Sequence, residues 1–390
     1  MQLTLRRFLV AVIAIAVLLL PGAAHAGDVT TKASTEVAAY QDSVATSVLT
    51  PSIGVSVESP TEGWRASGRY LVDVVSAASP DIVSTASPRW TEVRNAGTIG
   101  GRYKPGSFGA AVSATTSYTP DYLSLGASGQ LIQELDEKDL TLTEGYGYGH
   151  DTIGRTGTPF SVFSRDLGYH TLSLGISRVL NPSLVLSLAG DFVIERGDQS
   201  KPYRYIPIFT PDVARGVPRG VSVDSVASLR MQARPLEQLP LARERGSISG
   251  RIAWRMASST LRLDERLYTD TWGLRATTTD ARWLFDLSQR VTLWPHLRAH
   301  VQSGVSFWKR AYSAASIDAL PALRTGDREL GPLMNLGAGG GIRLALGKAG
   351  SIDDFVWSTT FDGTYTSFAD ALYVKERISA LLATSLEVTF

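Results

Sequence analysis

Apolar and polar residues alternate with a period of two over most of the chain. At the C-terminal end Ile378, Ala380, Leu382, Leu386, Val388 and Phe390 fall on one face. Ser379, Ala383, Ser385, Glu387 and Thr389 fall on the other, with Leu381 out of place. Within 354–366, Phe355, Trp357, Phe361 and Tyr365 oppose Asp354, Ser358, Asp362 and Thr364. The same rule sets Val291, Leu293, Leu297, Ala299, Val301, Val305 and Phe307 against His296, Arg298, His300 and Gln302. It sets Trp64, Ala66, Tyr70, Val72 and Val74 against Arg65, Ser67, Arg69 and Asp73. Such alternation predicts strands with one apolar face. These runs reach 11 residues or more, about twice the usual soluble strand and enough to cross a bilayer at a tilt.

The pattern predicts 16 strands, at 31–41, 52–58, 64–74, 90–103, 108–118, 122–134, 140–149, 169–180, 184–195, 247–256, 261–269, 274–286, 291–307, 331–346, 354–366 and 374–390. An even number places both chain ends on the same side. Short turns at 60–63, 104–107, 136–139, 181–182, 258–259 and 288–290 alternate with connections that include 75–89, 150–168, 196–246 and 308–330. Short periplasmic turns and long outer loops are the layout of an outer-membrane barrel. The expected fold is therefore all-β: a transmembrane antiparallel β-barrel of about 16 strands, spanning 27–390, with 196–246 as a long outer loop or cap. Two soluble sandwiches in tandem would explain the alternation, but not the strand lengths or the loop asymmetry.

The N-terminus reads as an address. Arg6 and Arg7 precede the apolar run Phe8–Leu20, and Ala24-His25-Ala26 offers a small-x-small cleavage site, so 1–26 has the form of a secretory signal peptide. The chain has 390 residues, no cysteine and a formal net charge of +1. Disulfides, thiolate metal sites and cysteine nucleophiles are thereby excluded. The global basic field of a nucleic-acid binder is missing as well.

Charges fall on the polar face of the strands. Arg69, Asp73, Arg94, Arg262, Asp264, Arg266, Asp270, Arg282 and Arg298 are the leading candidates for the lumen, with Arg65, Glu92, Asp191, Arg251, Arg255, Arg343 and Asp362 beside them. An arginine turned to lipid at mid-membrane would cost about 2–4 kcal/mol. Facing inward, these residues could line a selective pathway or form a solvated ion-pair lattice that holds the wall, and for any single residue the lattice is the simpler reading. Arg262, Asp264, Arg266, Asp270 and Arg298 are expected to form a charged constriction, with Arg282 on the intervening strand as a bridge. A second candidate constriction is the small-residue segment 76–89, with Ser79, Pro80, Asp81, Ser87, Pro88 and Arg89, which could fold inward or form a surface loop.

Other chemistry is sparse. His296 and His300 would lie about 13 Å apart on one strand face, too far to share a metal. The run Gly337-Ala338-Gly339-Gly340-Gly341 lacks the Lys-Ser/Thr of a phosphate loop and sits in mid-strand, where close backbone packing is the better reading. No Gly-x-Ser-x-Gly elbow occurs. No cofactor, metal site or catalytic residue is expected, and an enzyme is the third choice of function.

The segment Asp73–Arg94 (DVVSAASPDIVSTASPRWTEVR) resembles a bacterial family of outer-membrane β-barrel proteins of unknown function and roughly this length. Asp121-Tyr122-Leu123-Ser124, Pro202-Tyr203-Arg204-Tyr205, Thr260-Leu261-Arg262-Leu263, Tyr268–Gly273 and Pro295–Phe307 are similar to pieces of the same family. The chain departs from it at Thr271, where a second acid would follow Asp270, and at Leu267, where a tyrosine would stand near Arg266. The resemblance implies an exported barrel and no reaction or substrate.

The expected location is the cell outer membrane. The expected function is a pore or solute-translocation channel. The alternative is a non-conducting barrel that scaffolds a periplasmic or cell-surface partner complex. Implied partners are membrane lipid, the barrel-insertion machinery, small solutes or ions in a pore, and a periplasmic protein in a scaffold. Nucleic acid is not among them.

Overall fold

A computed structural model of the protein describes residues 29–79, 90–350 and 352–390. The expected signal peptide 1–26 and residues Pro80, Asp81, Ser87, Pro88 and Arg89 of the candidate constriction lie outside the described residues.

Sixteen long antiparallel strands close into one barrel. In chain order they are β1 (Thr30–Asp42), β2 (Thr46–Ser59), β3 (Trp64–Ala77), β4 (Trp90–Tyr103), β5 (Phe108–Thr119), β6 (Tyr122–Leu135), β7 (Leu140–Ile153), β8 (Arg165–Asn181) and β9 (Leu184–Gly197). After a long connection come β11 (Ala242–Arg255), β12 (Ser259–Asp270), β13 (Arg275–Asp286), β14 (Val291–Gln302), β16 (Leu333–Ala345), β17 (Asp354–Phe368) and β18 (Glu376–Thr389). Two short strands, β10 (Ile208–Phe209) and β15 (Tyr312–Ser313), pair with each other outside the barrel. Each long strand pairs with its sequence neighbours in the wall, and β1 pairs with β18 to close the ring. Closure is what lipid demands, because an open edge would leave backbone N–H and C=O groups unpaired in hydrocarbon. Among the described residues no helix is long and apolar enough to cross a membrane; the strands do the crossing.

The cross-strand register shows which positions share a face. Phe361 stands opposite Leu382, Trp357 opposite Leu386, and Tyr365 opposite Ile378, while Glu387 faces Val356 and Ser385 faces Ser358 on the other side of the sheet. The apolar set continues around the ring, with Leu261 opposite Trp283, Leu297 opposite Ala338, and Ile248 opposite both Leu267 and Gly190. These residues form the outward belt, and Leu297, Ile378 and Leu382 are all exposed on it. Leu381, the exception in the last strand, faces inward beside Tyr40 and Asp362.

Several boundaries differ from the pattern, among them the start of β2 and the end of β14. β2 begins at Thr46, six residues before the expected start at 52, and runs through Pro51. In place, its missing N–H interrupts only the ladder to β3, which passes from Leu49↔Val74 to Ser52↔Leu71, while the ladder to β1 runs on through Val37↔Pro51. β14 ends at Gln302 and not at 307. Val305 continues the alternation but is buried in a cluster with Leu239, Trp272 and Leu274, with Phe307 packed against it, so neither residue belongs to the lipid belt.

Both described chain ends and the connections 60–63, 104–107, 136–139, 182–183, 256–258, 287–290 and the described residues between β16 and β17 lie at one end of the barrel. The long connections 154–164, 198–241 and 303–332 lie at the other, together with short ones at 43–45, 120–121 and 271–274. Segments 198–241, 303–332 and 369–375 fold over this outer mouth as a cap. It contains β10, β15 and two short helices, α1 (Pro211–Gly216) and α2 (Val223–Leu229). Ile206, Ile208, Tyr312 and Ala314 form one buried cluster in the cap, and Phe209, Val217 and Val226 form another. Leu333 and Phe368, inward-facing at the rim, pack against Ala371 and Val374.

The register makes a direct prediction. Leu297→Arg, in the middle of the belt, should destabilise the barrel by about 2–4 kcal/mol. Ser385→Arg, on the inward face, should leave stability near that of the parent. Urea unfolding in lipid vesicles measures both, and equal losses would contradict the assignment of faces.

Candidate functional site: a charged inner wall beneath a folded cap

The inward positions of β11–β14 carry a connected set of charges. Asp264 on β12 is shared by two arginines: Arg251 on β11 and Arg262, two residues before it on the same strand, with Arg262 Nε donating at 2.8 Å. Asp280 on β13 is a second hub. It receives His296 Nε2 at 2.7 Å, lies 3.4 Å from Arg282 Nε and 3.7 Å from Arg298 Nη1. The other ring nitrogen of His296 is 2.7 Å from Asp362 Oδ1 on β17. Arg266 reaches Ser247 Oγ at 3.0 Å, and Arg255 pairs with Asp286 at 2.5 Å. At the outer rim Arg243 holds Asp270, whose side chain is fully buried, while Arg245 holds Glu195 at 2.5 Å.

Thus Arg262, Asp264, Arg266, Asp270, Arg282 and Arg298 all lie on the inward face, within a few strands of one another. Arg69, Asp73 and Arg94 lie on the same face of a different arc. Arg94 Nε donates to Asp73 at 2.7 Å, Thr50 donates to the other oxygen of Asp73 at 2.5 Å, and Arg69 reaches Glu36 at 3.2 Å. Of the second candidate constriction, Ser79 is fully buried.

The glycine run allows one of these links. His296 and Asp362 sit on the strands flanking β16, and Gly339 lies between them in register. A methyl group on Gly339 would run into the Phe361 carbonyl and Asp362 itself. Gly341, two residues on, lies under the Trp294 indole in the same way. The bare backbone leaves the space through which the bridge passes.

The cap is latched by its own ionic core. Arg204 Nη1 is 3.1 Å from Glu237 and 3.0 Å from Asp327, and Thr325 Oγ1 donates to Glu237 at 2.7 Å. Burial acts to raise the Asp327 carboxyl, but the charge and hydrogen bonds of Arg204 outweigh it and hold Asp327 below the usual aspartate range. The cap is tied to separate parts of the rim. Tyr203 Oη donates to Asp121 in the β5–β6 turn at 2.6 Å, and Val221 N donates to the Leu372 carbonyl in the β17–β18 loop at 2.8 Å. Burial also pushes the Asp121 carboxyl up, yet the hydroxyls of Tyr203, Thr156 and Thr119 bring it below its ordinary value.

A family model described as a protein of unknown function (DUF3570) matches residues 19–354. The chain belongs to this family. Its closed sheet, apolar belt and strand lengths make it a membrane-spanning barrel, and its place is the outer membrane. No curated protein matches it. Among solved structures it is similar to CdiB from Acinetobacter baumannii, with a TM-score of 0.49, 10% identity, and coverage of 93% of this chain and 60% of that one. It is also similar to the siderophore receptor PirA from Acinetobacter baumannii (TM-score 0.40, 11% identity, 87% and 53% covered). A third is OccK5 (OpdH) from Pseudomonas aeruginosa (TM-score 0.43, 9% identity, 93% and 98% covered). The chain thus spans 60% of the length of CdiB and 53% of that of PirA.

Sequence reasoning passed over two central residues. Asp280 stands two positions before Arg282 on the same strand face, so alternation alone would have found it. His296 was considered only as a metal ligand, whereas its partners are two carboxylates on different strands. Arg282 lies on the strand between β12 and β14 and is 3.4 Å from Asp280 of its own strand; Asp280 ties β13 to β14 through His296 and Arg298. Among the described residues no group of three or more His, Asp or Glu side chains could hold a metal ion.

Two outcomes follow. Gly339→Ala should cost about 1–3 kcal/mol through overpacking, while Gly337→Ala, whose added methyl meets only contacts of 3.4 Å or longer, should cost far less. Thermal unfolding in detergent compares them. For the cap, a depressed carboxyl contributes stability that is complete above the ordinary aspartate value of about 3.9 and lost as pH falls through the folded value. Cleavage of 198–241 by an acid-active protease should therefore stay flat from about pH 6 to pH 4 and rise only below that. A rise that begins near pH 6 would mean that another group holds the latch.

Proposed function

We propose that the protein is a water-filled pore that carries small solutes across the outer membrane, with the cap restricting its outer mouth. One observation carries this reading. Inward-facing Arg69, Arg251 and Arg298, on different arcs of the wall, keep 52%, 47% and 53% of their side-chain surface exposed. Charges so exposed inside a closed sheet fit a solvated lumen better than a packed one. Barrels of 16–18 strands characteristically leave an aqueous channel, and an ion-paired wall suits contact with water more than burial.

The cap favours a second reading. A folded lid tied to both sides of the mouth also suits a non-conducting barrel that holds a periplasmic or cell-surface partner. Purified protein in a planar bilayer separates the two. The pore reading expects discrete conductance steps in the parent and larger or more frequent openings in Arg204→Ala, which removes the centre of the cap latch. Silence in both proteins, with correct insertion shown by protease protection of the strands, would overturn the pore and favour the scaffold.

A further inference from the structure

The charges of the wall are not distributed evenly, and the imbalance has a direction. The inward positions of β11–β14 hold eight arginines against four aspartates. The inward positions of β17, β18, β1 and β2 hold two basic residues, Lys32 and Arg377, against six acidic ones. Of the remaining strands, β16 carries one inward charge, Arg343, and β3–β9 are close to balance, as the pairing of Arg94 with Asp73 illustrates. The excess on the basic arc is also incompletely paired. Asp264 serves two arginines, and Asp280 serves two arginines and His296. Arg266 has a serine hydroxyl as its hydrogen-bond partner. Arg298 is 3.7 Å from its shared carboxylate and half exposed.

We infer that the β11–β14 wall is the anion path of the pore and that the solutes carried are small anions such as carboxylates or phosphate. This rests on the pore reading. A fixed charge acts over about 8 Å at physiological salt, so an anion gains most by travelling along the basic arc, away from the acidic one. Arg266 and Arg298 have the least compensated guanidinium groups there, and they offer planar donors matched to carboxylate and phosphate oxygens. Shared carboxylates at Asp264 and Asp280 hold the neighbouring arginines in place without neutralising them.

The test is the reversal potential of the inserted protein under a potassium chloride gradient, followed by replacement of chloride with acetate or phosphate. The parent should prefer anions. In Arg266→Ala/Arg298→Ala the anion-to-cation permeability ratio should fall to unity or below. Glu36→Gln/Glu387→Gln, on the acidic arc, should raise the ratio, and this second pair keeps the test decisive if the first fails to insert. A conducting parent with no anion preference, or an anion preference that neither pair moves, would overturn the inference and leave the pore reading standing. A parent that does not conduct would overturn both.

Discussion

Every other feature of this protein depends on the need to satisfy backbone hydrogen bonds where there is no water. In hydrocarbon an unpaired peptide group costs several kcal/mol, so a sheet can cross only if its first and last strands meet. Here β1 and β18 pair along 11 positions, from Lys32↔Thr389 to Asp42↔Ser379. Phe390, one residue beyond, exchanges both backbone hydrogen bonds with Thr31. Closure fixes an inside and an outside, and the pleat then assigns every residue to one or the other.

That assignment explains where the charges are. A guanidinium cannot face lipid cheaply, so arginines collect inside, where they need water or carboxylates. Carboxylates shared across strands, Asp264 and Asp280, do for the wall what apolar contacts do in a soluble core: they connect neighbouring elements at a fixed register. The His296–Asp362 contact extends the connection over β16, and it needs glycine at 339 to do so. Carboxylates are fewer than arginines on β11–β14, so positive charge is left over on that arc.

The cap obeys different rules. Lying outside the bilayer, it is organised as a small soluble unit, with apolar clusters around Ile206, Ile208 and Phe209 and an ionic centre at Arg204, Glu237 and Asp327. Its partners come from three separate connections. Ordering 198–241 over the mouth carries a large entropic cost, and the buried contacts with 303–332 and 369–375 offset it. The cap and the wall meet at the rim, where Trp272 lies buried between Leu239 and Val305.

What the sequence determined by itself was the wall. A period of two needs only neighbours along the chain, so strand positions, the inward face of Arg262, Asp264, Arg266 and Arg298, and the even strand number were all legible there. Val305 misled because a local rule reads an apolar alternate as a lipid contact, and only the surroundings correct it. The tertiary structure alone decided which charges meet. Asp280 and Asp362 reach the same histidine from strands 82 residues apart in sequence, Arg204 finds Asp327 across most of the outer loops, and Ala33 meets Val388 at the seam. The wall pairings follow from register and closure, which are properties of the whole ring of hydrogen bonds, and the Arg204–Asp327 pair follows from the packing of the cap; neither belongs to a single segment.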